Sequence, residues 1–303
     1  MLKKKAKQTK EKIQPKHSEP KAVTKLPNVW QLTVSTGKLI WGNKKLLLGI
    51  TGIYGLLNLL LVHGLASSVD VGGIKQEINE SGAGGSGSLA TGIAVLAVIA
   101  GSSSSGTNQT AGTYQLILVL MASLAIIWAL RQIFGGSKVR IRDAYYRGMY
   151  PLVPFILVLL VIGLELIPLV IGSSLYTVVI GNGIAVLAIE KVLWAILFGL
   201  FAFLSFYLIS SSIFALYIVA LPEMTPIKAL RSSSGLVKIR RWSVMRKLLW
   251  IPLAFTILAA IIMLPVIVMA AALAPWVYFV LSILAILALH SYLYTLYREL
   301  LNE

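Results

Sequence analysis

Residues 151–171 read PLVPF ILVLL VIGLE LIPLV I, with Glu165 as the one ionisable side chain of the run. At ~1.5 Å rise per residue, a helix of this length crosses the ~30 Å hydrocarbon core of a bilayer. A buried helix of a water-soluble domain stays apolar for only about 10–14 residues, so length decides for the membrane. The flank fits: Arg140, Arg142 and Arg147, with Tyr145, Tyr146 and Tyr150 among them, lie just before the run. Cations and amphipathic rings in that position suit the boundary between headgroups and acyl chains.

Five further runs of spanning length lie outward from it, at 46–66, 113–134, 191–221, 248–273 and 276–297. Pro222 ends the fourth, Ser210, Ser211 and Ser212 mark a place where it tilts or kinks, and Pro275 forms a tight hairpin between the last two. The expected fold is therefore all-α, a polytopic transmembrane bundle of six spans. Composition agrees: 57% of the residues are hydrophobic, 13% are charged against about a quarter in soluble domains, and mean hydropathy is +0.84. The absence of cysteine excludes disulfides, thiolate-held zinc, iron–sulfur clusters and thiol catalysis.

Charge sets the threading. With the N-terminus in the cytoplasm, all of the 27 lysines and arginines except Lys75 and Lys191 fall on the cytoplasmic side. An odd number of spans would put one basic connection on the wrong side, so the same distribution supports six helices with both termini inside. The first apolar run reads as an uncleaved insertion signal rather than a removed signal peptide, and the localisation expected is multi-pass in the cytoplasmic membrane of a bacterium.

The organisation follows. Residues 1–27 form a lysine-rich cytoplasmic tail with too little apolar surface to fold. Residues 28–45, with Trp30 and Trp41 among polar residues, read as an interfacial amphiphilic segment. Residues 46–303 form the six-helix domain, with an extracytoplasmic Gly/Ser-rich loop at 67–112 and basic cytoplasmic connections at 135–150 and 222–247. Gly49, Gly52 and Gly55 allow close helix approach along the first span. Two apolar outer stretches, 89–100 and 175–189, are too short to cross and are candidate re-entrant segments. A six-residue string, Gly92 to Ala97, recurs as Gly183 to Ala188, each copy ahead of an inward-going span; a duplication and a chance match in an apolar alphabet both account for it.

The stretch Leu221-Pro222-Glu223, followed by Pro226-Ile227-Lys228-Ala229-Leu230-Arg231-Ser232 and by Arg240-Arg241-Trp242 before the next span, resembles a group of six-span bacterial inner-membrane proteins of mostly unknown function. That group includes membrane domains joined to some glycerophosphodiester phosphodiesterases. The resemblance implies topology only. The phosphodiesterase domain has no counterpart here, and no catalytic residue carries over.

No nucleotide, protease or metal signature stands out. The run Gly82-Ala83-Gly84-Gly85-Ser86-Gly87 formally matches a dinucleotide fingerprint but follows no strand, and reads as linker. His17, His63 and His290 are too scattered for a predicted metal site. No cofactor is expected, and the chain reads as a non-enzyme. Nucleic-acid binding through the lysine tail would be generic charge attraction, without a recognition module.

Two candidate sites remain. Arg140, Arg142 and Arg147 on one connection and Lys238, Arg240, Arg241, Arg246 and Lys247 around Trp242 on the other form basic, aromatic-bearing segments suited to anionic lipid headgroups. Each cation near such a surface contributes about 1 kcal/mol; setting orientation alone explains most of the same charge. Glu165 is the intramembrane polar candidate, an ion or proton site on one reading and a neutral or interface-reaching carboxyl on the other. The leading functional expectation is a module that organises lipids or a partner protein, with self-association open. The alternative is a small permease or flippase-like transporter.

Overall fold

The computed structural model describes residues 27–63, 109–137 and 139–301. Most of the lysine tail, most of the 67–112 loop with its 89–100 stretch and the glycine-rich run, Lys138, His17 and the first copy of the repeated string lie outside them. Among the described residues the helices are joined by short turns and loops, there is no strand, and six helices are long and apolar enough to cross a membrane.

Helix α1, Val29–Gly42, leads through Asn43 into α2, Lys44–Asn58, which ends in a π-helical turn, Leu59–His63. The second span is α3, Gln109–Phe134, and the basic connection after it carries a short helix α4, Ile141–Gly148. The third span is made of two helices, α5 (Leu152–Glu165) and α6 (Ile167–Gly181). The fourth is α7 (Ala188–Ser212) with the short α8 (Ala215–Ile218). Then come α9, Pro226–Val237, the long α10, Arg241–Met269, a 3₁₀ turn and α11, Ala274–Leu301.

Four expectations change. The third span does not end near Ile171: α6 carries it on to Gly181, so the 175–189 stretch is the end of one span, a turn and the start of the next rather than a re-entrant segment. The fifth span begins at Arg241, because Trp242, Val244 and Met245 already turn in a helix; the second basic connection is correspondingly shorter than 222–247. The 28–45 segment does not merely lie at an interface. Its α1 packs against α11, with Leu32 buried in the main core while Trp30, Val34 and Trp41 are exposed. The three glycines of the first span do not serve one contact: a side chain at Gly49 would meet Ile141, one at Gly55 would meet Ile283, and one at Gly52 would meet nothing.

Between helices in lipid there is little hydrophobic drive, because acyl chains are as apolar as leucine; close van der Waals packing and interhelical hydrogen bonds hold the bundle instead. The packing is unequal along its length. The second half of α3, Ala122 to Leu130, is buried on almost every side, enclosed by α2, α4 and α11. Gly148 brings α4 against the α3 backbone, where an added Cβ would lie 3.1 Å from the Leu124 carbonyl oxygen. Arg131, in the last turn of α3, donates to the Ala220 carbonyl at 3.2 Å, which places the ends of α3 and α8 together. Phe134 stacks on Tyr294, and Arg298 lies over Phe134. The other end is open: only 6% of the apolar window of Ala188–Ile218 is buried, against 50% for Gly112–Phe134.

The packed end is also the charged end. Among the described lysines and arginines, Lys191 alone sits at the opposite end, at the start of α7.

Candidate functional site

Two features stand out from the apolar bundle: a polar seam where α5–α6 and α7–α8 break opposite each other, and the basic end itself.

The α5–α6 break follows from Pro168. A proline has no N–H to give the Leu164 carbonyl, so the helical ladder is interrupted one turn after Glu165. The next donor, the Leu169 N–H, would return to the Glu165 carbonyl in an unbroken helix. It instead donates across to Ser205 Oγ of α7 at 2.9 Å, and Ser205 is fully buried. A serine on the neighbouring helix thus satisfies the donor that the proline displaces, as the lack of water in a bilayer demands.

The α7–α8 break follows from three consecutive serines. Ser210 and Ser211 turn their hydroxyls back to the Tyr207 and Leu208 carbonyls, at 2.8 Å each, a pattern that bends helices. The chain then turns through Ile213 and Phe214. Ser212, at the last position of α7, donates to Glu165 Oε1. The Ser211 carbonyl accepts from Ser233 Oγ of α9, so the connection helix is tied under the break. Ser234 next to it accepts from Arg241 Nη2 at 3.5 Å, and the Arg241 guanidinium lies 4.8 Å from the Tyr207 ring centroid. Glu165 is half-buried, and its Oε2 is shielded from solvent without a hydrogen-bond partner.

A second buried polar group lies between α3, α8 and α11. His290 Nε2 pairs with Ser123 Oγ at 2.9 Å and Nδ1 with the Tyr217 hydroxyl at 3.3 Å. The Tyr217 ring meets His290 edge-on, and Tyr217, Tyr294 and Tyr297 pack against one another. With both ring nitrogens engaged, this is a structural tie among three helices. Among the described residues no three His, Cys, Asp or Glu side chains gather as metal ligands would.

At the basic end the eight candidate cations divide. Arg140, Arg142 and Arg147 are exposed on α4 and just before it, beside exposed Tyr146 and Tyr150. Lys238 and Arg246 are exposed near Trp242 and Ile239, the latter 92% accessible. Arg240 and Arg241 are half-buried, and Arg241 is occupied by Tyr207 and Ser234. Lys247 is 4% exposed inside the bundle, and its carbonyl accepts from the Tyr292 hydroxyl at 3.3 Å. Tyr145 turns inward, donating to the Ile50 carbonyl at 2.8 Å, and burial pushes its phenol up to about 12, with Tyr54 adding to the shift.

The sequence singled out Glu165 and the serines of the spans separately; their pairing across two breaks was not visible in it. The signal that could have found it is the spacing of Pro168 three residues after Glu165. Among the described residues one non-glycine residue is left-handed, Glu223 at φ 60°, in the turn after Pro222 at the exit of α8.

Comparison with protein-family models, characterised proteins and solved structures found no match.

Proposed function

We propose that this chain is a non-enzymatic, multi-pass module of a bacterial cytoplasmic membrane that gathers anionic lipid headgroups at its basic end. One observation carries the reading. Five cations, Arg140, Arg142, Arg147, Lys238 and Arg246, are exposed at the packed end of the bundle, and exposed Tyr146, Tyr150, Trp242 and Trp41 stand among them. Aromatic bodies at the headgroup level with cations above acyl chains match an anionic leaflet. The charge asymmetry supports the cytoplasmic side for this end and for both termini. The sparsely buried α7 supports a broad contact with acyl chains or with a second protein. The likeness to six-span bacterial inner-membrane proteins rests on the order of the Leu221-Pro222-Glu223 turn after α8, an amphipathic α9 and an Arg240-Arg241-Trp242 entry into α10.

The test is mass spectrometry of the full chain extracted in native nanodiscs. Stoichiometric phospholipid enriched in anionic headgroups is expected, and is lost when the five exposed cations are changed to Gln. The same lipid profile for the wild-type chain and the five-fold variant, matching the bulk membrane, would sink the proposal. A second reading, a small permease or flippase-like transporter, is favoured by the facing helix breaks, since discontinuous helices line the sites of many transporters. Flux of candidate solutes or labelled lipids in proteoliposomes tests it; flat traces for all of them count against it.

A further inference from the structure

Glu165 poses a problem that headgroup binding does not answer. Among the described residues its carboxyl has one partner, the Ser212 hydroxyl on Oε1, while Oε2 is shielded without any. The charged and titratable groups on the elements packed against α5 are engaged or remote. On α8, the Tyr217 hydroxyl is turned to His290. On α6, Tyr176 lies against Phe198. On α7, Tyr207 lies under Arg241, Glu190 accepts from the Val186 and Leu187 N–H groups at the far end, and Lys191 is exposed beside it. On α9, Lys228 and Arg231 are exposed. An ionised carboxylate without a countercharge in a medium of low dielectric is costly, and protonation removes that cost. A proton on Oε2 also turns the one unsatisfied acceptor into a neutral hydroxyl.

Geometry favours a proton over a metal cation. A hard cation needs about six oxygens around it. Here Ser210 and Ser211 give their hydroxyls to their own helix, and Ser205 is committed to the Leu169 N–H. What the seam does provide is a run of serines toward the basic end: Ser212 Oγ donates to Glu165, Ser211 Oγ lies 3.5 Å from Ser212 Oγ, and the buried Ser233 Oγ of α9 donates to the Ser211 carbonyl.

We propose that Glu165 is a reversible proton-binding site built across the two facing helix breaks, with Ser212, Ser211 and Ser233 lying between it and the basic end. The carboxylate takes one proton from the aqueous side at that end and returns it there; no bond other than O–H forms or breaks. Because the same carboxyl bridges α5 to α7, its proton sets how firmly the two broken spans are joined. This goes beyond the lipid-gathering reading and stands on separate residues.

The test is pH-difference infrared spectroscopy of the full chain in nanodiscs, reading the C=O stretch of protonated carboxyls. Among the carboxyl bands, the wild type is expected to show one that titrates, shifts in D₂O and is missing from Glu165→Gln. Ser212→Ala is expected to retain the band at higher frequency, because the C=O loses its donor, and Ser233→Ala to slow its exchange in D₂O. Ser212→Ala and Ser233→Ala keep the test decisive should Glu165→Gln fail to insert. A band untouched by all three variants, a carboxyl that never titrates, or a midpoint that moves with sodium when choline replaces it would each overturn the proposal.

Discussion

The Pro168–Ser205 arrangement makes a quantitative prediction about coupling. Ser205→Ala removes the acceptor of the Leu169 N–H, which lies 2.9 Å from Ser205 Oγ at a fully buried position. Leaving a buried donor unsatisfied costs about 1–3 kcal/mol. Polar contacts between spans measured by double-mutant cycles average ~0.6 kcal/mol, because the unfolded chain in lipid also finds partners. The Leu169 N–H has no such freedom in the folded state, since the proline that displaces it is fixed beside it, so about 2 kcal/mol is expected. In a Pro168→Ala background, residue 168 regains its N–H and α5–α6 can run straight. The Leu169 N–H then returns to the Glu165 carbonyl, and removing Ser205 costs little. The four chains of the cycle, unfolded by SDS titration in mixed micelles, are therefore expected to show a coupling energy of about 1–2 kcal/mol. Additivity within ~0.5 kcal/mol, the tolerance for independent sites, would refute the account of the break.

Three other outcomes follow from the geometry. Gly148→Val places a side chain against the Leu124 carbonyl and the Ala125 backbone, which cannot step aside, and should lower stability by about 1–3 kcal/mol; Gly52→Ala, with open space around it, should be neutral in the same unfolding assay. Tyr145 is held neutral in the folded chain, its phenol pushed from 10.0 up to about 12, so the stability it contributes is complete below pH 10 and is lost as pH rises through 12. Tyr145→Phe should flatten that alkaline loss, and an unchanged pH profile would show that the phenol does not carry it. Ser123→Ala should cost about 1 kcal/mol by stripping His290 Nε2 of its partner, and adding His290→Leu should recover part of it; a double variant less stable than both single ones would contradict the tie.

How much of this was legible in the sequence depended on whether the deciding physics was local. Six spans were legible because hydropathy over twenty residues is a local property, and the length of a run separates a span from a core helix. The collection of cations at one end was legible for the same reason, since alternating direction is the only way to thread six such runs. The extension of the third span to Gly181 was not: 175–189 read as a separate apolar stretch, a candidate re-entrant segment. Ser173 and Thr177 bond back to the Val170 and Ser173 carbonyls, so their hydroxyls are absorbed by their own helix. The packing of α1 was hidden too, because Leu32 and Thr36 declare a buried stripe only once α11 is beside them. At the candidate site the residues were visible and the constellation was not. Glu165 and the Ser210 to Ser212 run were noted separately, but that Ser212 meets Glu165 and Ser205 meets the Leu169 N–H depends on the rotation of α7 against α5.

The pairing of α1 with α11 joins the first and the last helices among the described residues. Leu32 therefore leaves the ribosome long before the side chains that cover it, a wait on the order of tens of seconds at about 5–20 residues per second. Throughout that interval the five intervening spans must already be threaded, while α1 stays outside with its apolar stripe uncovered. Assembly closes like a clasp, in its final step, and a chain cut short within α11 would keep every earlier span yet leave its beginning with nowhere to dock.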